Sequence, residues 1–342
     1  MPELLVLVVL IIVVALFFDF TNGFHDAANA IAASVSTGTL TPRVAILMSA
    51  ILNFVGALTG TGVASTIGKG IIDPSIMHGD QGLYMVLSAL LAAIGWNLFT
   101  WWYGLPSSSS HALIGGIIGG AVAGYGWNST NWRGVEAIIL SFVTSPIIGG
   151  VLSFTIMVAL MWIFRRTTPV KVTNMFRPMQ VLSAAFMAFA HGTNDAQKSM
   201  GIITMALFIL PVNLGGMAGH PFVVPLWVKT IAAIAMGLGT SAGGWKIIKT
   251  MGSRIVKLQP INGFASDAAA STTVLAATIW GLPVSTTHVV SGAIMGVGAT
   301  KRLSAVRWGV AGNMLLAWVL TIPITALLAG AIYSVLRHAF GF

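Results

Sequence analysis

The chain has 342 residues, of which 56% are apolar and only 7% charged, and apolar runs of near membrane-spanning length recur from end to end. That composition excludes a soluble globular protein and points to an integral membrane protein built of α-helices. The formal net charge of +9 does not indicate nucleic acid, because the basic residues sit in short connections between apolar runs; the lack of cysteine removes any disulfide framework or thiolate chemistry.

The first apolar segment covers residues 3–37 with a polar interruption from Asp19 to Asp26, where a break in the helix is expected. It lacks a basic leading region and runs straight into that polar stretch, so it reads as a retained helix rather than a signal peptide. A second span follows over 43–65, then a polar stretch from Lys69 to Gln81. Apolar residues return from Leu83 to Tyr103, stop at Gly104-Leu105-Pro106 and resume from Ala112 to Tyr125. Proline has no N–H and disfavours helix in the residue before it, so the serine run after Pro106 is predicted to be a bend with a new helix just beyond. A span over 136–164 closes the half, and Arg165, Arg166, Lys171 and Arg177 mark a linker. The second half repeats the plan, with 179–210 interrupted at His191 to Lys198, then 222–242, a hairpin over 264–300 and a last span over 305–336.

The two halves share motifs as well as a plan. Gly104-Leu105-Pro106-Ser107-Ser108-Ser109-Ser110-His111 returns as Gly281-Leu282-Pro283-Val284-Ser285-Thr286-Thr287-His288. Gly23-Phe24-His25-Asp26-Ala27-Ala28-Asn29 returns as Gly192-Thr193-Asn194-Asp195-Ala196-Gln197-Lys198. Two copies of a polar site in one apolar chain point to a transporter built from repeats, 1–165 and 179–342, joined by a cytoplasmic linker over 166–178. If each hairpin enters and leaves on one side, each half crosses three times and the second half is inverted. Twelve of the 17 Lys and Arg then fall on one side and four on the other, with Lys198 left inside the membrane. The positive-inside rule makes the crowded side cytoplasmic and puts both termini outside. The fold expected is therefore an all-α integral membrane protein of two inverted-topology repeats, each with a broken helix and a re-entrant helical hairpin whose tip meets the other near the midplane.

A bend that opens a helix with consecutive hydroxyl residues offers free N–H groups, hydroxyl donors and the positive end of the helix dipole at one point, which suits an anion. Ser107, Ser108, Ser109, Ser285, Thr286 and Thr287 are the candidates to surround a tetrahedral oxyanion, against the simpler reading that they cap the two helices. Unpaired carboxylates cost at least about 2.5–3.5 kcal/mol at the bilayer centre, so Asp26 and Asp195, at matching places in the repeat, are expected to act. Oxygen ligands from Asp26, Asn29, Asn22, Asp195 and Asn194, with carbonyls freed at the helix breaks, suit a small hard cation, with Asp26 and Asp195 as metal ligands if that cation is sodium. Lys198 reads as a tethered cation or counter-ion in preference to a packing partner of an aspartate. His111 and His288 read first as structural groups at the bends and second as proton relays; Asp267 reads equally as an interfacial carboxylate and as a relay. The glycines from Gly115 to Gly124 and at Gly292, Gly296 and Gly298 read as packing positions between the arms of a hairpin. A divalent oxyanion beside two carboxylates totals about −4, offset by one unit at Lys198, so about two or three further cations are required.

On these residues the chain resembles the inorganic phosphate transporter (PiT) family over essentially its full length. The resemblance rests on the two Gly-x-x-Asp signatures and the two Gly-Leu-Pro hairpin tips, in one order. It implies a secondary transporter moving phosphate with sodium or protons, or as a metal–phosphate complex; hairpin hydroxyls that hold phosphate; signature aspartates that bind the coupling ion; and a homodimer. His25 and Lys198 depart from the asparagines of the familiar signature, and Gln197-Lys198 is similar to prokaryotic members. Sulfate transport, which some relatives perform, is the nearest rival; phosphate retains a proton that can donate to a carboxylate, which favours it. An anion channel needs no paired aspartates, and an intramembrane hydrolase lacks a residue to orient the histidine beside Ser110.

Overall fold

A computed structural model describes residues 2–341 as helices joined by short connections, with no strands among the described residues. Among the described residues twelve α-helices run in order: α1 (Pro2–Ser36), α2 (Pro42–Ala57), α3 (Gly62–Lys69), α4 (Gly79–Tyr103), α5 (Ser109–Tyr125), α6 (Trp132–Ile163), α7 (Pro169–Ile209), α8 (Leu226–Ala242), α9 (Trp245–Lys249), α10 (Pro260–Ile279), α11 (Thr286–Ala299) and α12 (Trp308–Phe340). A π-helical turn, Thr250–Arg254, continues α9. Helices α1, α4, α6 and α12 are each long and apolar enough to cross a membrane, and the bent pairs α2/α3 and α8/α9 bring two more.

Breaks occur, but one span later than expected. The 35 residues of α1 run unbroken through Asp19–Asp26, and the 41 residues of α7 run unbroken through His191–Lys198. In lipid an uninterrupted helix satisfies its own backbone, and the polar side chains of these stretches find partners inside the protein, so nothing forces the chain open there. The bends instead lie at glycines with left-handed backbone: Gly60 (φ 63°) between α2 and α3, which turn by 72°, and Gly243 (φ 71°) between α8 and α9, which turn by 62°. The carbonyls expected at breaks beside Asp26 and Asp195 are therefore bonded within their own helices. Of the segment 166–178, the part from Pro169 onward is helical, as the start of α7, and Phe164–Thr168 joins it to α6.

A helix–bend–helix unit forms at each of the two Gly-Leu-Pro sites, α4/α5 and α10/α11. Gly104 and Gly281 end α4 and α10 with φ of 65° and 68°, and Ser108 and Ser285 cap α5 and α11 by accepting from the backbone N–H of His111 and His288. The arms are unequal: the 25 residues of α4 rise about 37 Å, enough to span the hydrocarbon alone, whereas the 17 of α5 rise about 25 Å. Packing partners exchange between the halves. Helix α5 lies against α12 as α11 lies against α6, α8 against α1 as α2 against α7, and α3 against α7 as α9 against α1. Gly115 and Gly119 face α12 while Gly116 and Gly120 face α4, so these glycines serve two helix contacts rather than one.

Two apolar cores flank the middle of α1 and α7. Leu7 to Phe18 of α1 and Ala196 to Ile209 of α7 enter one core; Ala28 to Ala33 and Phe176 to Ala190 enter the other. The polar stretches lie between them. Outward faces of α6 and α12 are apolar and open, as at Val143, Ile147, Val319 and Leu327.

Candidate functional site

Helices α1 and α7 bring Asp26 and Asp195 together with His191, whose candidate ligand atoms all lie within 4.8 Å of one another. Every one of these side chains is buried. Asn22, one turn before Asp26 on α1, donates from Nδ2 to Asp195 Oδ2 at 3.5 Å, so Asp195 is tied to the first half of the chain. Lys198, one turn beyond Asp195 on α7, places its ammonium 2.8 Å from the same Oδ2. His25 Nδ1 lies 2.7 Å from Asp26 Oδ1.

The hairpin bends close on this cluster from both sides. Ser109 donates to Asp26 Oδ2 at 3.3 Å, Thr287 to Asp26 Oδ1 at 3.3 Å and Thr286 to Asp195 Oδ2 at 3.4 Å. Asn29 Nδ2 donates to the hydroxyls of Thr286 and Thr287 at 3.1 and 3.0 Å. Asn194 Nδ2 donates to Thr278 Oγ1 at 2.8 Å, and its Oδ1 accepts from the N–H of Val284 at 3.5 Å, fixing the second tip. The tips also touch directly, since Ser110 donates to the carbonyl of Val284 at 3.0 Å.

Among the six hydroxyls expected at an anion site, three point at the carboxylates and three are committed elsewhere. Ser108 and Ser285 cap their own helices, and Ser107 donates to Thr100 at 2.7 Å. These three still leave the helix N-termini facing the cluster. His111 and His288 turn away from the aspartates: their rings are 4.3 Å apart, with His111 stacked on Phe142 and His288 on Trp318. Asp267 on α10 stands apart as well, 13 residues before the capping residue Trp280, about 20 Å of helix from the tip. Its side chain is buried in the protein, and Asp19 is buried too, accepting from Ser199 at 2.6 Å.

Several side chains at the site were not singled out from the sequence. His191 Nε2 lies 3.5 Å from Asp195 Oδ2, and its Nδ1 lies 2.9 Å from Asn53 Oδ1. Extending the Gly-x-x-Asp alignment by one residue pairs His191 with Asn22, which is the signal that would have found it. Thr100 bonds His25 Nε2 at 3.2 Å, and Gln197 Oε1 accepts from the first N–H groups of α3 at Val63 and Ala64. No local pattern marks Thr100, and the signature that contains Gln197 does not reveal this contact.

The donor set suits a small hard cation. Asp195 Oδ1, Asn22 Oδ1 and Asn29 Oδ1 are buried oxygens with no hydrogen-bond partner in the structure, and oxygen ligands of this kind bind such ions. Hydroxyls and helix N-termini beside them suit an oxyanion.

The comparisons with known proteins agree with this chemistry. A family described as the phosphate transporter family matches residues 22–329. A "Probable low-affinity inorganic phosphate transporter" of Bacillus subtilis (strain 168) is 51% identical over 340 residues, covering 99% of this chain and all of its own length. One of the same description from Rhizobium meliloti (strain 1021) is 48% identical over 328 residues, 96% of each chain. A solved structure titled "The sodium-dependent phosphate transporter" superposes with a TM-score of 0.90 at 28% identity, over 97% of this chain and 99% of that one.

Proposed function

This chain belongs to the phosphate transporter family, and on that premise we propose that it carries inorganic phosphate across the cytoplasmic membrane as a cation-coupled symporter working by alternating access. One observation supports this reading above the others: hydroxyls from both hairpins and the aspartates of both signatures share a single buried hydrogen-bonded cluster. Phosphate takes the hydroxyls of Ser109, Thr286 and Thr287 and the N–H groups that open α5 and α11, where Ser107, Ser108 and Ser285 shape the two bends. The coupling cation takes Asp26, Asp195, Asn22 and Asn29, while Asn194 holds the second tip in place.

Charge decides why coupling is needed. Two carboxylates and a divalent oxyanion in one buried site repel strongly, and Lys198 contributes one tethered positive charge at 2.8 Å from Asp195. Mobile cations supply the rest, and they also offset the membrane potential, worth roughly 2.3 kcal/mol per charge per 100 mV against an anion moving inward. Inverted repeats give the two hairpins opposite faces to open towards, and the exchange of packing partners between halves is in keeping with that arrangement. The remaining expectations form part of the same proposal: both termini outside, a homodimer, and phosphate taken alone or as a metal complex.

The deciding experiment is reconstitution into proteoliposomes with labelled phosphate under a sodium gradient and a proton gradient imposed separately. Saturable, concentrative uptake driven by one of them is expected. Uptake unchanged after both gradients are abolished would overturn the coupling, and linear flux that only dissipates a gradient would assign a channel.

A further inference from the structure

The hairpin tips are held from behind by the short second halves of the two bent spans, and the two holds are unequal. At the second hairpin, Thr66 on α3 donates from its hydroxyl to the carbonyl of Gly281 at 2.6 Å, and Gly62 faces Gly281 with no side chain between them. At the first hairpin, Thr250 donates to the carbonyl of Gly104 at 3.1 Å, and the residue facing Gly104 is Lys246 on α9. Thr66 follows Gly62 by four residues as Thr250 follows Lys246, so the two latches occupy equivalent places in the two halves. Only one of them carries a charge. The ammonium of Lys246 donates to the carbonyl of Trp102 at 3.0 Å and sits 4.7 and 5.5 Å from the ring centres of Trp102 and Trp101.

We propose that Lys246, together with Thr250, is a positioning residue that latches the first hairpin tip, so that the two gates of the transporter differ in strength and the path towards the face carrying Lys246 is the more tightly closed. The proposal rests on the alternating-access reading above. A cation on a last-turn carbonyl is favoured by the dipole of α4, and the two indole faces add cation–π attraction, whereas the second tip has one neutral hydroxyl bond in the same place. Because the chain runs from Gly104 through Leu105 and Pro106 to Ser107 and on to Ser109, whatever holds Gly104 also holds the bend that meets Asp26. Lys246 itself is exposed, so on opening its ammonium exchanges the carbonyl for water without being stranded in the interior.

The absence of cysteine makes the test direct, since Ser107→Cys introduces a single thiol at a fully buried position behind the latch. Labelling of that thiol by a membrane-impermeant maleimide from the Lys246 face is expected to be slow. Adding Lys246→Met is expected to raise the rate at least threefold, and Lys246→Arg to keep it slow, because arginine retains the cation. Thr66→Val is expected to leave this rate unchanged and to speed labelling of Ser285→Cys from the opposite face. A smaller rise with Lys246→Met, or an equal rise with Lys246→Arg, overturns the latch. Should Lys246→Met fail to yield folded protein, Thr250→Val replaces it under the same threshold. Labelling reads the gate without transport, so a wrong choice of coupling ion leaves this result untouched.

Discussion

Lys198 is fully buried, and a lysine in that position persists only beside its counter-charge, which Asp195 supplies at 2.8 Å. Replacing Asp195 with asparagine strands the ammonium, and the expected loss of stability is about 3–5 kcal/mol, read as a lower melting temperature of the detergent-solubilised protein. The double change Asp195→Asn with Lys198→Met removes both charges; it is expected to recover most of the melting temperature while leaving cation-coupled uptake abolished. Recovery of both properties would show that the pair only packs. At the hairpin bend, Thr287→Val deletes a hydroxyl that reaches both Asp26 and Asn29, and about 1–1.5 kcal/mol of lost hydrogen bonding corresponds to a rise in KM for phosphate of roughly tenfold. Thr287→Ser is expected to stay near the parent value, and an unaltered KM in the valine variant would remove Thr287 from the site. The sequence already marked Asp26, Asp195 and the hydroxyl runs, because charge and clustered hydroxyls are rare in an apolar chain. Thr100 passed unnoticed, and Gln197 stood in the second signature without its contact to α3 being legible, since a threonine or glutamine gains such a role only from what packs beside it.

Elements place these side chains by close approach. A methyl group at Gly192 would run into the carbonyl of Asn53, so α7 and α2 touch backbone to backbone one turn from Asp195. Gly192→Ala must part them, and with them the contact between His191 and Asn53 at 2.9 Å. Overpacking of this kind is expected to cost about 1–3 kcal/mol and to lower the rate of uptake more than its affinity for phosphate, measured as a fall in kcat at near-constant KM. Loss of affinity alone would place the effect outside the helix contact. The breaks show why the elements were only partly legible. Polar residues inside an apolar run signal that something must be satisfied, yet side-chain partners satisfied them and left α1 and α7 intact, while Gly60 and Gly243 turned the neighbouring spans. A glycine in an apolar run is too common in membrane helices for a bend to be read from it.

For the whole molecule, the proposed phosphate and cation sites draw their side chains from both halves. A tenfold excess of sulfate is expected to leave labelled phosphate uptake in proteoliposomes nearly unchanged, because the carboxylates around the hydroxyls can accept a proton that phosphate retains and sulfate lacks at neutral pH. Strong competition would favour a sulfate carrier on the same frame. The amino-acid sequence alone determined that this is a helical membrane protein of two related halves with doubled hydroxyl tips and doubled aspartates, because hydrophobic length, charge scarcity and repetition are properties of the linear chain. Only the tertiary structure decided that the tips meet, that Lys198 answers Asp195, that His111 and His288 stack away from the carboxylates, and that the bends belong to α2/α3 and α8/α9. Those outcomes depend on which helices lie side by side, and a chain of near-uniform apolarity leaves that choice to small-residue contacts and buried hydrogen bonds between residues far apart in sequence.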